Sequence, residues 1–325
     1  MGSTGVPESY LKALFEFAAR VGSQDPVNQQ PSSAAQISDQ DKAWLTAVLR
    51  DLAAETDTVS HLQRHLAHLS ALDLYHPSDE QLDIATSSLQ YIADIVENID
   101  DANNFHKIGG FQILVPLLRS SAEELRQEGA NLLAVLAQNN PYIQQELWKA
   151  SVLRLLLELL RHEQSNSVKA KALFAISSLL GSVEHGGVEA MGEAFVAGGG
   201  VGVVSDQMFA LPPTSPLVRR ALFFLTHFAS QNSQFRDAVA SQPGMVKGLC
   251  AIFEQSEAEE DSSSLALKLL LTLSDRAATK EELKGCASFM KQLGIRQKHL
   301  TASKDDAFQD AIESGQNLLG KLQSD

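Results

Sequence analysis

Three histidines, His61, His65 and His68, fall at i, i+4 and i+7. On a helix that spacing gathers their rings on one face, where they could hold a zinc ion. No Cys, Asp or Glu beside them completes an obvious shell, and the HExxH signature is absent. An amphipathic helix surface accounts for them more simply. Gly198-Gly199-Gly200-Val201-Gly202 has the look of a phosphate-binding glycine loop. A dinucleotide fingerprint, however, needs a strand before the loop and a βα unit around it, and the sequence offers neither. GxSxG and Walker sequences are missing, and no Cys–His pairing stands out. The run Glu257–Asp261 reads as a solvated acidic loop. Cys250 and Cys286, the two cysteines, are too few for a disulfide framework and match no zinc spacing, which favours a reducing compartment. Catalysis is not expected, nor a cofactor, a metal or a small-molecule ligand.

The elements that carry these residues are helices. Apolar residues make up 44% of the 325, but aromatics only 6%, and Leu and Ala dominate the apolar fraction. Leu and Ala are strong helix formers, whereas β-branched and aromatic residues favour strands, so the fold class is all-α. The net charge of −14 repels a phosphate backbone and argues against nucleic acid as a partner. The N-terminus lacks a basic segment followed by a continuous apolar core, so no signal peptide is read there. No run of about 18 apolar residues is present to span a membrane. A cytoplasmic location is the default expectation, with the nucleus as the alternative.

Residues 23–40 are rich in Gln, Ser and Pro and read as a linker. They follow a short amphipathic segment, Tyr10 to Val21, with Leu11, Leu14, Phe15 and Ala18 on one face. Residues 1–37 are therefore expected to be a flexible N-terminal segment and 38–103 a helical cap. The cap opens near Ser38 with Trp44, Leu45, Val48 and Leu52 in helical register, and continues with helices near Val59–Leu72 and Ser78–Glu97.

From residue 104 the chain repeats itself. A small-residue turn marks each unit, and the apolar residues Phe111, Val152, Val201 and Met245 recur there 41, 49 and 44 positions apart. Such a period belongs to armadillo or HEAT units of about 40–47 residues. Three helices per unit, with a glycine turn between the first two, favour armadillo. No unit can bury its apolar face alone, so neighbours stack into a continuous core. The expected fold is a right-handed armadillo-type solenoid of about four units over 104–285, with a helical cap over 286–325.

The third helix of each unit should line the groove of such a solenoid. Registered on the Leu/Ala pattern, these helices leave a stripe at four-residue spacing: Gln127, Asn131, Val135; then Ala170, Phe174, Ser178; then Arg219, Phe223, His227. Two phenylalanines on a groove face favour a protein partner over an idle surface. Lys169, Lys171, Arg219 and Arg220 concentrate positive charge there, against the sign of the whole chain, and could steer an acidic partner.

The segment Ile95–Asn104, IVENIDDANN, resembles the signature of the Fes-type exchange factors, a family that includes the heat-shock-chaperone-binding proteins of animals. Glu97, Asn98, Asp100, Ala102, Asn103 and Asn104 match it, and Asp101 stands where Asn is more usual. Ala137–Pro141, Val168–Ser177 and Val218–Leu225 are similar to later motifs of that family. So are Asp41–Trp44 and Tyr10–Leu14, the latter without the family's Trp. The resemblance runs over about residues 10–235. It implies a non-enzymatic nucleotide exchange factor whose groove curls around one lobe of the ATPase domain of a 70-kDa heat-shock chaperone, so that ADP leaves faster. It also implies that the N-terminal segment engages the substrate side of that chaperone. Ala102 and Asn103 join the stripe as expected partner contacts, and the chain is expected to act as a monomer. The competing class is an armadillo adaptor for another extended peptide; groove-lining Trp is missing and Asn131 is the lone Asn of the stripe, which counts against an importin-like groove.

Overall fold

In the computed structural model, residues 42–44, 46–48, 57–181, 188–256, 261–303 and 309–323 are described. All their regular elements are helical. The expected Tyr10–Val21 segment, the linker, and Leu45 and Leu52 lie outside the described residues. The chain divides into two units, residues 1–64 and 65–325. The first contributes short helical stretches at 42–44 and 46–48 and the opening of α1, Thr58–Ser70, where Asp57 accepts hydrogen bonds from the Ser60 backbone and hydroxyl.

The second unit is an armadillo-type solenoid. It opens with α2, Asp79–Ile95, started by a Ser78–Gln81 capping box that satisfies two otherwise orphaned amides. Repeat one is α3, Ile99–Lys107, a 3-10 turn at Gly110–Ile113 running into α4, Leu114–Leu118, and α5, Glu123–Ala137. Repeat two is α6, Pro141–Lys149, α7, Val152–His162, and α8, Asn166–Leu180. Repeat three is α9, Val188–Ala197, α10, Gly200–Phe209, and α11, Pro216–Gln231. Repeat four is α12, Ser233–Ser241, α13, Met245–Gln255, and α14, Asp261–Leu273. A further set of three helices follows: α15, Ala277–Gly285, α16, Ala287–Ser303, and α17, Gln309–Gln323.

The third helices form one layer. In order, α2, α5, α8, α11, α14 and α17 each pack beside the next. Leu and Ala at helical spacing are buried between them: Leu132, Leu133 and Leu136 on α5, Ala172, Leu173 and Ile176 on α8, Ala221, Leu222 and Leu225 on α11. Each fully buried Leu or Ile contributes roughly 1.5–3 kcal/mol against leaving it in water.

The turn between the first two helices of each repeat has a shared cause. Gly109, Ser151, Gly199 and Gly244 all adopt the left-handed conformation, with φ of 88°, 58°, 74° and 76°. Glycine is the residue that does so without steric cost. This register corrects the one read from Phe111 and Val201, which lie one position later in their units than Val152 and Met245 do. The cause is packing. Gly110 and Gly200 hold the first helical position because a Cβ there would come within 2.5 Å of the Phe105 ring and 2.4 Å of the Phe195 ring. Phe195 in turn stacks on Phe235 with centroids 5.7 Å apart, so the ring is held from both sides. The glycine run 198–202 thus forms the junction between α9 and α10.

A candidate protein-binding face on the third-helix layer

On α5, Gln127, Asn131 and Val135 are partly exposed, as the helix period requires. On α8, Ala170, Lys171 and Phe174 take that position. On α11, Arg219 and Phe223 are exposed and His227 is half-buried. Phe223 is the most open aromatic of the strip, at 59% exposure, and its ring lies nearly parallel to that of His227, centroids 6.2 Å apart.

Ser178 departs from the expected strip. It is only 9% exposed, and its carbonyl accepts a hydrogen bond from Gln144 Nε2, which also reaches Ala137 O. Counting by four drifts around a helix of 3.6 residues per turn. By the end of α8 the drift has carried the reading into the core, and Ser177, one residue earlier, holds the open position.

Ala102 is a second correction. It is 1% exposed on α3, a core residue with no surface to offer a partner. Its neighbours in the signature serve the joints between elements. Asn98 caps α3 by accepting from the amides of Asp100 and Asp101. Asn140 caps α6 through Ile143 N, while its Nδ2 donates to Asn103 Oδ1 at 3.1 Å. Asn103 therefore ties repeat one to repeat two.

The basic side chains of the strip are mostly engaged within the layer. Lys171 Nζ donates to Asn131 Oδ1 at 2.8 Å. Arg219 pairs with Asp261 at 2.9 Å. Arg220 Nη1 donates to Ala170 O at 2.8 Å, and its guanidinium lies 5.4 Å from the Phe174 ring centroid, so one side chain bonds and covers α8 from α11. Burial alone pushes the Arg220 guanidinium below its usual range. Lys169 is half-buried just before Ala170. Glu128 is half-buried on α5; desolvation raises its carboxyl, and Lys171 opposes the rise without cancelling it.

The strip continues onto α14, which the sequence reading did not reach. Asp261, Ser264 and Leu265 form the far wall of a groove of about 620 Å³, and Arg219, Arg220 and Phe223 form the near wall. The signal was present: 261, 264, 265 and 268 recur at helical spacing and are open. A wider depression of about 790 Å³ lies away from this face, against Trp148, Leu153, Arg154 and Arg161. His65, one of the three spaced histidines, stacks on Tyr91 with centroids 4.4 Å apart. No group of three or more metal-ligating side chains is found among the described residues.

Residues 101–248, which hold α3 to the start of α13 and most of this strip, match the family described as the SIL1/FES1/HPBP1 C-terminal domain. This stretch is similar to that domain over its whole length in the match. The resemblance drawn from the signature segments is upheld. Hsp70-binding protein 1 of Rattus norvegicus is 30% identical over 196 residues, 57% of this chain and 52% of its own. The Hsp70 nucleotide exchange factor fes1 of Schizosaccharomyces pombe is 36% identical over 107 residues, 33% of this chain and 36% of its own. Nucleotide exchange factor SIL1 of Xenopus laevis is 35% identical over 94 residues, 29% of this chain and 21% of its own. The chain spans about half the length of the Hsp70-binding relatives it matches. Among solved structures, the designed armadillo repeat protein YIII(Dq)4CqI superposes with a TM-score of 0.60 at 17% identity, over 80% of this chain and 99% of its own. That likeness shows the armadillo fold.

Proposed function

We propose that this chain is a nucleotide exchange factor for an Hsp70 chaperone, binding the chaperone's ATPase domain through the third-helix face and hastening ADP release. The observation that carries the reading is a coincidence of place. The SIL1/FES1/HPBP1 match covers residues 101–248, and within that stretch the solenoid exposes Phe223 on the open face, beside Arg219 and above the Arg220–Phe174 joint. An exposed aromatic on a surface that is otherwise well packed is the kind of anchor that dominates protein interfaces.

The mechanism needs no catalytic group on this chain. A binder shifts an equilibrium only by its differential affinity for the two states. If the face fits the nucleotide-free arrangement of the ATPase domain better than the closed one, nucleotide affinity falls. By reciprocity, nucleotide rebinding then expels the factor. The chain acts as a monomer in this scheme, and no helix among the described residues is long and apolar enough to cross a membrane.

The test is release of a fluorescent ADP analogue from an Hsp70 ATPase domain, followed by stopped flow with and without this protein. Acceleration that rises with protein concentration and saturates is expected. An unchanged rate at concentrations where the two proteins form a complex would overturn exchange and leave an armadillo adaptor.

A further inference from the structure

The depression of about 790 Å³ is wider than the groove of about 620 Å³ on the third-helix face, and none of its lining residues belongs to a third helix. It sits where repeat two meets repeat three. One wall comes from the end of α6 and from α7, the other from Ala194 and Gly198 at and just after the end of α9. Its floor is apolar. Leu153 and Leu157 are almost wholly buried there, and half-buried Trp148 adds an aromatic surface.

The rim is cationic. Lys149, Arg154 and Arg161 stand on the α6–α7 wall with Glu158 as the one carboxylate among the lining residues, in a chain whose net charge is −14. Lys149 pairs with Glu146 at 2.7 Å and Arg154 with Glu158 at 3.1 Å, each within one helix. The Lys149 and Arg154 side chains are 59% and 83% exposed. Pairs so open to water are screened and worth little, so they exchange readily for another anion. Arg161, exposed in the last turn of α7, makes no hydrogen bond or ion pair among the described residues. The facing wall differs. Ala194 and Gly198 carry no charge and almost no side chain, so a peptide backbone can approach closely there.

We propose that this depression binds an extended acidic peptide segment of a partner protein. Its backbone runs along the α9 wall, its carboxylates face Lys149, Arg154 and Arg161, and an apolar side chain rests on Trp148, Leu153 and Leu157. The volume is that of a ligand pocket, which admits a few residues of peptide and no folded domain. Charge selects the sign of the partner, and the apolar floor selects a peptide over a bare anion. A nucleic acid suits the site less well, because its phosphate backbone is repelled by the acidic chain as a whole. The proposal does not rest on nucleotide exchange: the depression and the third-helix groove share no residue, so the two faces are available to separate partners.

The chain has two tryptophans, so Trp44→Phe leaves Trp148 as the sole reporter, inside the depression. The full chain with that change would be titrated with a synthetic peptide in which Glu and Leu alternate, followed by Trp148 emission. A saturable change in emission is expected, weakening with added salt. Replacing Leu by Ser in the peptide should weaken binding severalfold, and replacing Glu by Lys should abolish it. Arg161→Glu should also weaken binding severalfold with an unchanged melt; if that variant fails to fold, the peptide series decides alone. No saturable change, equal binding of the Ser peptide, binding of the Lys peptide, or a folded Arg161→Glu chain that binds as tightly would each overturn the proposal. So would tighter binding of a short single-stranded DNA, or loss of peptide binding in Phe223→Ala, which would put the peptide on the third-helix face.

Discussion

The Arg126 guanidinium grips the Glu163 carboxylate at two points, Nε to Oε2 at 2.6 Å and Nη2 to Oε1 at 3.2 Å, across the joint between repeats one and two. Arg126 also donates to the carbonyls of Ser120 and Ser121, and Glu163 Oε1 accepts from the amides of Gln164 and Ser165. Every polar atom of this buried carboxylate is thus used, which is the condition under which a buried ion pair is tolerated.

Acid should therefore loosen this joint in a definable way. Burial of Glu163 pushes its carboxyl up, but the Arg126 bond, the two amides and the Arg126 charge outweigh burial and leave it lowered. A carboxylate with a lowered folded-state pKa adds stability that is fully present above the unfolded value, about 4.3, and is lost as pH falls through the folded value. Glu163→Gln should cost about 2 kcal/mol at pH 7, since it leaves the Arg126 charge without its counterion. The same substitution should flatten the fall in stability below about pH 4.3. Urea melts of both proteins from pH 7 to pH 3 measure this. Parallel acid limbs would show that the pair carries none of the pH dependence.

Ala102→Arg should act on stability. With Ala102 1% exposed, an arginine there must displace packed atoms or drag α3 outward. Overpacking alone costs about 1–3 kcal/mol, and an unpaired buried charge adds to it. The melting temperature should fall, and any loss of exchange should track the unfolded fraction. A variant with an unchanged melt and no exchange would return Ala102 to the interface.

Gly200→Ala should be costly for a different reason. The new methyl would sit 2.4 Å from the Phe195 ring, which Phe235 and Phe224 hold at centroid distances of 5.7 and 5.4 Å. A loss of about 1–3 kcal/mol is expected in denaturant titration. Gly192→Ala on α9, where an added Cβ meets nothing within 4 Å, is the control and should be neutral or mildly stabilising. Equal effects at the two positions would show that the ring yields.

The repeat architecture was legible because Leu and Ala recur with the helix period and small residues punctuate the units. Positions on α5 and α11 followed from that period directly. Ser178 did not, because a count by four overshoots the true pitch and the error grows along the helix. Ala102 was misplaced for another reason: a recognised motif does not separate residues kept for a partner from residues kept for a joint. Asn98, Asn103 and Asn140 turn out to serve caps and a side-chain bridge between repeats. The engagement of Arg219 by Asp261 and of Arg220 by Ala170 O joins residues 42 and 50 positions apart, contacts that no local pattern reveals.

Phe223 gives the sharpest separation of binding from stability. Its ring is 59% exposed, so truncation to alanine should change the melt by less than about 0.5 kcal/mol. As the anchor of an interface it should cost on the order of 2 kcal/mol, about thirtyfold in affinity for the ATPase domain. Arg220 is unsuited to the same test, because removing it also removes the bond to Ala170 O and the cover over Phe174. Accelerated ADP release should therefore fall with Phe223→Ala while the cooperative melt stays in place, and a chain lacking residues 1–37 should release ADP as fast as the full chain. Stopped-flow release and a thermal melt on each variant decide it. If the shortened chain loses exchange and Phe223→Ala keeps it, the N-terminal segment carries the activity and the third-helix face does not.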